Sequence, residues 1–504
     1  MKLFKLMEDV SFTSNLPLEE INEIEIKDIA YNSRNCEDGF MFVALVGETV
    51  DGHKFVRNAY DNGARIFLLQ SGMESDKNVM GLPEDAVKIF VDDTRISLSR
   101  VSHNFFNKPS ESLKIVGVTG TKGKTTITNY IATVLNEAGI NTGVIGTNGT
   151  FFNGTYEVTA NTTPESYELH RIFRKMLDNG VKCVSMEVSS GGIMQNRVED
   201  VDFDVAIFSN LSPDHIGPKE HPTFEHYLQC KARLFKMAKH GIINIDDKYA
   251  ENIIDAATCN IETFAIENNA DLTADNIVYS KEIDSLGVSF ECNTKEEKFP
   301  CYICSPGTFS IYNALAVIAV CKYLGVKREI MVDALKNAKV NGRVEVLPIL
   351  PYATIVVDYA HNGVSLENIL QTLKNYDHNR LICLFGSVGG RTEIRRKELG
   401  DVAARECDVA ILTADNPDFE DPMNVIDDIA KSFEGSSCEV IKISDREEAV
   451  KYAVKNAKEG DMIVFAGKGH EKYQLINGQK LSFDEIAIAK EEAKKVLEEK
   501  SLLA

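Results

Sequence analysis

Short apolar runs alternate with amphipathic segments along the whole chain. The strongest runs, each typical of a strand buried on both faces, are KIVGVTG, KCVSMEVSS, FDVAIFSNL, TIVVDYA, RLICLFGS, VAILTADN and DMIVFAG. The segments between them carry apolar residues at helical spacing. The pattern predicts an α/β protein built from doubly wound, mainly parallel sheets.

Two breaks in the pattern divide the 504 residues into three predicted domains, more than one hydrophobic core usually organises. Pro109 interrupts the pattern before the strand at Ile115, and Gly342 in VNGRVEV offers the second break. The predicted domains are a smaller N-terminal α/β domain over 1–109, a central domain over 110–342, and a Rossmann-like C-terminal α/β domain over 343–504.

Composition narrows the possible partners. The net charge of -21 argues against a nucleic-acid partner, because such a partner requires a dense basic patch and the sequence shows none. No run reaches the roughly 18 apolar residues of a membrane span. The eleven cysteines are scattered without a disulfide framework. We therefore expect a soluble, cytoplasmic protein without nucleic-acid binding or membrane insertion.

A glycine-rich turn, GTKGKTT, joins the strand at Ile115 to a helical pattern that ends at Gly139. Glycines let backbone amides approach phosphate oxygens, a lysine at Lys124 reaches the β and γ phosphates, and a hydroxyl at Thr125 ligates magnesium. Val118 stands where a longer P-loop would carry glycine, so the glycine spacing is short. The turn predicts ATP and Mg²⁺ as cofactors and a central domain of the P-loop ATPase type.

Three further residues are candidates for the same site. Glu187 ends the strand in MEVSS, His215 follows the strand in SNLSPDH, and Lys231 lies on a predicted helix. Carboxylate, imidazole and phosphate oxygens are able to share divalent ions beside the loop. Each residue taken alone is ordinary for a strand end, a loop and a solvated helix face.

Taken in order, these and other motifs resemble the Mur ligase family, the ATP-dependent amide-forming enzymes of bacterial cell-wall precursor synthesis. The resemblance covers essentially the whole chain. Within the family, DNP at Asp415 and GKGHE at Gly467 are similar to the branch called MurE, which adds the third amino acid to UDP-N-acetylmuramoyl-L-alanyl-D-glutamate. The matching motifs are GTKGKTT, TTPES, MEVSS, QNR, SNLSPDH, the Lys231 helix, GTFSIYNALA, NGR, DYAH, DNP and GKGHE.

The resemblance assigns roles around ATP and the metal. It implies catalytic roles for Lys124, His215 and Lys231, and carbamylation of Lys231, which turns a cation into an oxygen ligand. The implied metal ligands are Thr125, Glu187, His215 and Lys231 as its carbamate. The implied ATP contacts are Gly120, Thr121, Lys122, Gly123, Lys124, Thr125, Thr126, Asn313, Arg343 and Asp358.

The resemblance also implies where the other two substrates bind. The implied contacts to the UDP-dipeptide are Ser33, Thr162, Thr163, Ser189, Gln195 and Arg197. The implied contacts to the amino acid are Asp415, Asn416, Asp418, Gly467 and Glu471, with Arg391 as a carboxylate clamp that Arg395 or Arg396 could replace.

Asp418 decides which amino acid is expected. Relatives that add meso-diaminopimelate typically read DNPR, and this chain reads DNPD. A carboxylate repels the distal carboxylate of that acid and accepts an ε-ammonium, so L-lysine is favoured, with meso-diaminopimelate or another amino acid as the alternative. Asp418 is equally explained as a residue that caps a turn after Pro417.

The implied reaction forms an amide through an acyl phosphate, and we expect a monomer. Two other functions stay open. Another amide ligase on the same core, similar to folylpolyglutamate synthetase, should lack the DNP and GKGHE pair. A non-catalytic, nucleotide-binding regulator stays conceivable because Gly191 stands where most relatives carry histidine.

Overall fold

The computed structural model of the protein describes most of the chain. It covers residues 1–47, 50–213, 216–217, 220–282, 285–338, 344–390 and 393–503, apart from the side chains of residues 393, 502 and 503. His215, Arg343 and Arg391 lie outside the described residues, so their assigned roles stay predictions.

The chain forms two compact units. The first contains Met1–Thr273 and Tyr312–Met331, and the second contains Ala274–Ile311 and Val332–Ala504. The predicted α/β architecture with mainly parallel sheets is confirmed. The predicted boundaries after residues 109 and 342 stay a prediction, because neither unit is continuous in sequence.

A five-stranded sheet organises the N-terminal part of the first unit. Its strands are β1 Thr13–Ser14, β2 Asp28–Ala30, β3 Phe40–Val43, β4 Ile66–Gln70 and β5 Val87–Val91. The helices are α1 Leu3–Leu6, α2 Leu18–Ile21, α3 Val56–Asp61, α4 Lys77–Met80 and α5 Thr94–Phe105. The strand order is β1-β5-β4-β3-β2, with β1 antiparallel to β5. Because side chains alternate along β3, Met41 and Val43 enter one core cluster and Phe42 enters the other.

A larger, mainly parallel sheet forms the centre of the first unit. Its strands within this unit are β6 Lys114–Thr119, β7 Thr142–Gly146, β8 Gly149–Phe152, β9 Thr155–Glu157, β10 Cys183–Glu187, β11 Phe203–Phe208, β12 Ala238–Asn244 and β13 Asn260–Ala265. The next strand, β14 Leu272–Lys281, begins in the first unit and continues into the second at Ala274. The helices are α6 Lys124–Glu137, α7 Ser166–Asp178, α8 Ser190–Met194, α9 Phe224–Met237 and α10 Ala250–Ala256. In this sheet β6 lies between β10 and β11 and is parallel to both. The carboxyl ends of these three strands therefore meet at one edge, where ligands bind in open α/β sheets.

The second unit is built on a six-stranded sheet. The unit also contains the hairpin β15 Leu286–Asn293 and β16 Lys298–Ile303. The helix α11 Thr308–Tyr323 passes into the first unit at Tyr312, and α12 Arg328–Asn337 returns to the second unit at Val332. The later strands are β17 Glu345–Leu347, β18 Thr354–Asp358, β19 Arg380–Phe385, β20 Val409–Leu412, β21 Glu439–Lys442, β22 Asp461–Ala466, β23 Tyr473–Ile476 and β24 Gln479–Ser482. The later helices are α13 Gly363–Leu373, α14 Glu393–Glu406, α15 Pro422–Ala430, α16 Arg446–Lys455 and α17 Glu485–Leu503. The sheet order is β17-β18-β22-β19-β20-β21, with β17 antiparallel and the other neighbours parallel. Among the described helices, none is long and apolar enough to cross a membrane.

Two histidines pack together where α5 meets α7. The ring centroids of His103 and His170 are 5.0 Å apart. His170 is fully buried, and neither of its ring nitrogens has a hydrogen-bond partner among the described residues. Burial lowers the pKa of His170 well below its usual range, and the neighbouring His103 lowers it further. Burial also lowers the pKa of His103, against the opposing effect of Asp200 and Glu111.

This pair predicts that the protein loses stability in mild acid. In the folded state His170 stays neutral, whereas in the unfolded chain it takes up a proton near its usual pKa of about 6.5. The unfolded state therefore binds more protons below that pH, and stability falls as the pH is lowered through it, by about 1 kcal/mol per pH unit for one such group. We expect the urea concentration at the unfolding midpoint to decrease when the pH is lowered from 7.5 to 5.5.

The test compares His170→Phe with a control, His378→Asn. Phenylalanine fills the apolar site without a titrating group, so the urea midpoint of His170→Phe should depend less on pH than that of the wild type. His378 is only half-buried, and its replacement should leave the pH dependence as it was. An unchanged slope in His170→Phe means that His170 does not cause the acid sensitivity.

Candidate active site

The turn between β6 and α6 has the backbone of a phosphate-binding loop. Gly120 and Gly123 have φ of +149° and +87°. A Cβ at Gly123 would lie 2.7 Å from Asn313 Oδ1, and one at Gly120 would overlap Ser209 Oγ. Both positions therefore require glycine. Because α6 begins at Lys124, its first backbone amides border the loop and favour an anion there.

The segment after β11 holds this loop in place. The backbone amide of Thr121 donates to Asn210 O over 2.9 Å, and that of Lys122 donates to Asn210 Oδ1 over 2.9 Å. Ser209 Oγ donates to Lys122 O over 2.7 Å. Asn210 is not among the predicted site residues, although it lies within SNLSPDH. Its role shows only when β11 is placed beside β6.

Two lysines converge on the loop. Lys124 Nζ donates to Gly120 O over 2.9 Å and to Thr121 O over 3.1 Å. Lys231 Nζ, on α9, donates to the same Gly120 O over 2.9 Å and lies 4.6 Å from the centre of the Tyr227 ring. The Lys231 side chain is buried. Two ammonium groups on one carbonyl repel each other, and together they place positive charge beside the loop.

Glu187 supplies a buried carboxylate at the carboxyl end of β10. Thr125 Oγ1 donates to its Oε1 over 2.9 Å. The backbone amide of Thr147 donates to the same oxygen over 2.9 Å, and Thr147 Oγ1 donates to Oε2 over 3.2 Å. Hydroxyl and carboxylate oxygens are the hard ligands that Mg²⁺ prefers, so Thr125 and Glu187 fit the predicted magnesium site. Thr147 was missed because it follows β7 without a motif.

Asn313 and Tyr312 begin the part of α11 that belongs to the first unit. Asn313 is buried, and its Oδ1 faces Gly123 beside the loop, while its contact with ATP stays a prediction. The Tyr312 hydroxyl donates to Asp246 Oδ2 over 2.7 Å, and that carboxylate oxygen also accepts the backbone amide of Ile266 over 2.6 Å. Asp246 therefore ties α11 to the turn after β13.

Four of the predicted UDP-dipeptide residues form one hydrogen-bonded group. Thr163 Oγ1 donates to Glu187 O over 3.0 Å and accepts the backbone amide of Ser189 over 2.9 Å. Arg197 donates to Thr163 O over 3.0 Å and to Gln195 Oε1 over 2.6 Å. The group shares Glu187 with the loop. Thr162 lies nearby, 3.1 Å from Thr147 by their hydroxyl oxygens.

Charged residues from the N-terminal and the central parts of the first unit border this group. Arg95 Nη1 is 3.3 Å and Arg197 Nε is 3.5 Å from Glu165 Oε2. Burial raises the pKa of Glu168, one helical turn away. Ser33, the predicted uridine contact, is buried in the turn Ser33–Asn35, where its carbonyl accepts Asn62 Nδ2 over 2.9 Å. No motif pointed to Arg95, and Glu165 was missed although it stands inside TTPES.

Gly191 lies in the first turn of α8. A Cβ there would meet no described atom within 4 Å. The space is open to a larger side chain, so the glycine is not required by packing among the described residues.

In the second unit, the structure brings DNP and GKGHE together, and their contact with the amino acid stays a prediction. The fully buried Lys468 Nζ lies 3.0 Å from Asp415 Oδ1, 2.6 Å from Asn416 Oδ1 and 3.4 Å from Glu471 Oε2. Gly467 has φ +111°, and a Cβ there would lie 3.6 Å from Asp415 Oδ2. Lys468 joins the two motifs, and it was missed although it stands inside GKGHE.

Asp418 caps a turn. Its Oδ1 accepts the backbone amide of Gly478 over 2.8 Å, and its own amide donates to Leu475 O over 2.9 Å. Its φ is +52°, a conformation in which aspartate is more common than most residues. The turn explanation of Asp418 therefore has direct structural support, and the lysine-binding explanation has none.

Arg395 and Arg396, the two described candidates for the carboxylate clamp, differ in their ion pairs. Arg396 is buried and pairs with Glu420 over 2.5 Å and with Asp428 over 2.8 Å, so its charge is already compensated within the fold. Arg395 is half-buried on the same helix and forms no ion pair with a described residue. Of the two, Arg395 is the better candidate.

Asp358 ends β18, and its carboxylate is held by backbone amides. Its Oδ2 accepts the amide of Val344 over 2.9 Å, and its Oδ1 accepts that of Ala360 over 2.8 Å. These bonds orient the carboxylate, and its predicted contact with the nucleotide stays a prediction.

Three family models match successive parts of the chain. They are the Mur ligase family catalytic domain over residues 25–106, the Mur ligase middle domain over 118–321 and the Mur ligase glutamate ligase domain over 342–469. The chain belongs to the Mur ligase family, whose members are ATP-dependent amide ligases. The predicted membership and enzyme class are confirmed.

Curated relatives match over nearly their whole length. The UDP-N-acetylmuramoyl-L-alanyl-D-glutamate--2,6-diaminopimelate ligase of Clostridium botulinum is 38% identical over 94% of this chain and 96% of its own. The protein of the same name from Clostridium perfringens is 39% identical over 92% and 94%. Both are named for diaminopimelate, so the expectation of L-lysine receives no support from them.

Solved structures share the fold. A structure titled UDP-N-acetylmuramoyl-L-alanyl-D-glutamate--2,6-diaminopimelate ligase matches with a TM-score of 0.70 and 30% identity, covering 94% of this chain and 95% of that one. A folylpolyglutamate synthase of Mycobacterium tuberculosis matches with a TM-score of 0.59 at 15% identity over 80% of this chain and 94% of its own, a likeness of fold alone. The predicted Mur ligase-like three-domain fold is confirmed.

Proposed function

We propose that the protein adds diaminopimelate to the D-glutamate of UDP-N-acetylmuramoyl-L-alanyl-D-glutamate, with cleavage of ATP to ADP and phosphate. The observation that carries the proposal is the convergence of Lys124 and Lys231 on Gly120 O, beside the pair of Thr125 and Glu187. The named activity of relatives that match over nine-tenths of the chain supports the choice of substrates.

The reaction proceeds in two steps. An oxygen of the D-glutamate γ-carboxylate attacks the γ phosphorus of ATP, and the bond to the β-bridging oxygen breaks to release ADP. The amine of the diamino acid then attacks the acyl phosphate carbon, phosphate leaves, and the amine gives up a proton. A carboxylate is a poor acylating agent, so phosphorylation supplies the leaving group.

The residues of the loop account for the first step. Lys124 and the first amides of α6 bind the phosphates and stabilise the charge that spreads over them during transfer. Thr125 and Glu187 would hold Mg²⁺, and the bound ion supplies further neutralisation of phosphate charge. A carbamate on Lys231, with His215, would provide a second oxygen-rich metal site, and carbamylation also removes the repulsion between the two ammonium groups.

The dipeptide would bind where the N-terminal sheet meets the central sheet. Thr163, Ser189, Gln195 and Arg197 form a polar group fixed to Glu187 O, so the substrate they hold stands close to the metal and the loop. Alignment of the carboxylate with the γ phosphate is the main contribution that such positioning makes to rate. Ser33 would contact the uridine end.

The cluster around Lys468 would bind the amino acid. Asp415 and Glu471 offer carboxylates to its ammonium group, and Arg395 offers a guanidinium to a carboxylate. Asp418 Oδ1 accepts the Gly478 amide, so a role in the turn accounts for this residue without a contact to a lysine ε-ammonium. The names of the relatives then make diaminopimelate the preferred substrate in this proposal.

We expect diaminopimelate to be incorporated in preference to L-lysine when both are supplied at equal concentration. The protein is incubated with ATP, Mg²⁺, the UDP-dipeptide and both amino acids, and the products are resolved by mass spectrometry. Release of phosphate should require the UDP-dipeptide and an amino acid together. Phosphate release when the UDP-dipeptide or the amino acid is left out would indicate a nucleotide switch instead of a ligase.

Asp418→Asn is the matched variant for this experiment. Asparagine keeps a side-chain oxygen for the Gly478 amide and tolerates a positive φ, so the turn should persist. If Asp418 only caps the turn, the product ratio stays as in the wild type. A predominance of the lysine product that is lost in Asp418→Asn would overturn the choice of diaminopimelate and restore the charge argument.

A further inference from the structure

A second cluster of metal-binding side chains lies at the start of α9, on residues that the ligase reaction does not use. His221 and His226 face each other with their Nδ1 atoms 3.0 Å apart. Cys230 Sγ is 4.0 Å from His226 Nδ1. One ligand atom from each residue lies within 4.8 Å of the other two, the one such grouping of three among the described residues.

We propose that His221, His226 and Cys230 form a site for a transition-metal ion, with Zn²⁺ as the ion that the ligand set fits best. Two imidazoles and one thiolate suit Zn²⁺, whereas Mg²⁺ takes oxygen ligands. Tetrahedral zinc with bonds of about 2.0–2.3 Å places nitrogen ligands roughly 3.3 Å apart and nitrogen and sulfur roughly 3.6 Å apart. The separations of His226 from its two partners, 3.0 Å and 4.0 Å, differ from these by a few tenths of an ångström. His221 and Cys230 lie within 4.8 Å of each other, so binding of the ion would draw these two side chains together.

The fold presents these ligands together without the ion. His226 and Cys230 are four residues apart on α9, so they lie on the same face of the helix. His221 reaches that face from the segment before the helix, and it is buried, as is Cys230. His226 is only half-buried, which leaves a side from which an ion enters and a water molecule completes the coordination.

The site is separate from the loop but connected to it. Cys230 faces His226, while the next residue, Lys231, donates to Gly120 O. The His221 ring lies 5.1 Å from the Tyr227 ring, and the Tyr227 hydroxyl is 3.1 Å from Thr121 Oγ1. An ion that fixes His221 against α9 would therefore also fix Tyr227 beside the loop.

The experiment uses the full chain and two metal probes. Metal-free protein is titrated with Co²⁺, and the near-ultraviolet absorption of a cobalt–thiolate bond is followed. Zn²⁺ is then added in competition, and bound zinc is counted after free metal is removed. We expect a stoichiometric cobalt–thiolate band that Zn²⁺ abolishes.

Variants assign the ion to the cluster. Cys230→Ala should lose the cobalt–thiolate band and weaken zinc binding by more than the roughly 10- to 100-fold typical of an outer-shell change. If Cys230→Ala fails to fold, His226→Gln serves in its place. This substitution keeps a polar side chain of similar size and should also weaken zinc binding. Cys304→Ser, at a half-buried cysteine of the second unit, is the control and should bind as the wild type does. Absence of the band in the wild type, or its persistence in Cys230→Ala, overturns the proposal and leaves the two histidines with a structural role.

Discussion

Lys124→Ala is expected to reduce the rate of product formation by about 10³-fold or more while leaving the fold intact. The Lys124 ammonium lies over the loop, within hydrogen-bond distance of Gly120 O and Thr121 O. In phosphoryl transfer a cation at this position stabilises charge that develops on the transferred group, an effect worth several kcal/mol. The measurement is phosphate release under saturating substrates, with ADP counted separately.

The controls separate loss of chemistry from loss of structure. Lys182→Ala removes an exposed lysine of the same domain, outside the site, and should retain full activity. The thermal midpoint of Lys124→Ala should stay close to that of the wild type, because its bonds are to loop carbonyls that water can also satisfy. A folded Lys124→Ala protein with near wild-type turnover would refute the assignment of the loop to ATP.

The fold and the loop could be predicted from sequence because their signals are local. An apolar run such as that of β6, followed by glycines and a helical pattern, determines a strand, a turn and a helix in succession. In parallel sheets the strand ends share one edge, which is why Glu187, at the end of its strand, was a candidate for a place beside the loop. Glycine at Gly120 and Gly123 follows from the same local geometry.

What sequence missed depends on which strands become neighbours and where side chains point. Thr147 and Asn210 enter the site because β10 and β11 flank β6 and β7 lies beyond β10. Thr147 belongs to no motif, and SNLSPDH by itself gave Asn210 no role. The sequence left both a substrate contact and a turn cap open for Asp418, and the structure adds that its Oδ1 accepts the Gly478 amide. A motif match fixes the position of such a residue, and the tertiary hydrogen bonds decide the direction of its side chain.

The hydrogen-bond partner of Lys231 is the clearest example of a contact that only the tertiary structure shows. Sequence placed it on a helix, and the resemblance implied a carbamate. The structure adds that its Nζ is buried and shares Gly120 O with Lys124. Removing one of two positive charges from this pocket relieves repulsion, and replacing it with an anion gives Lys124 an opposite charge nearby.

Lys231→Ala is accordingly expected to be nearly inactive and to be partly restored by a short carboxylic acid. Truncation to alanine leaves room on α9 beside Gly120, and a formate or acetate ion placed there supplies the oxygen ligands of the missing carbamate. Phosphate release by Lys231→Ala and by Lys231→Arg is measured at increasing concentrations of formate and acetate. The arginine side chain fills the space that alanine leaves open, and it cannot carry a carbamate. Rescue should occur in the alanine variant only, while Lys236→Ala, an exposed lysine one turn further along the same helix, should be fully active without additives. Full activity of Lys231→Arg would show that a positive charge suffices at this position, and the carbamate would then have no role in catalysis.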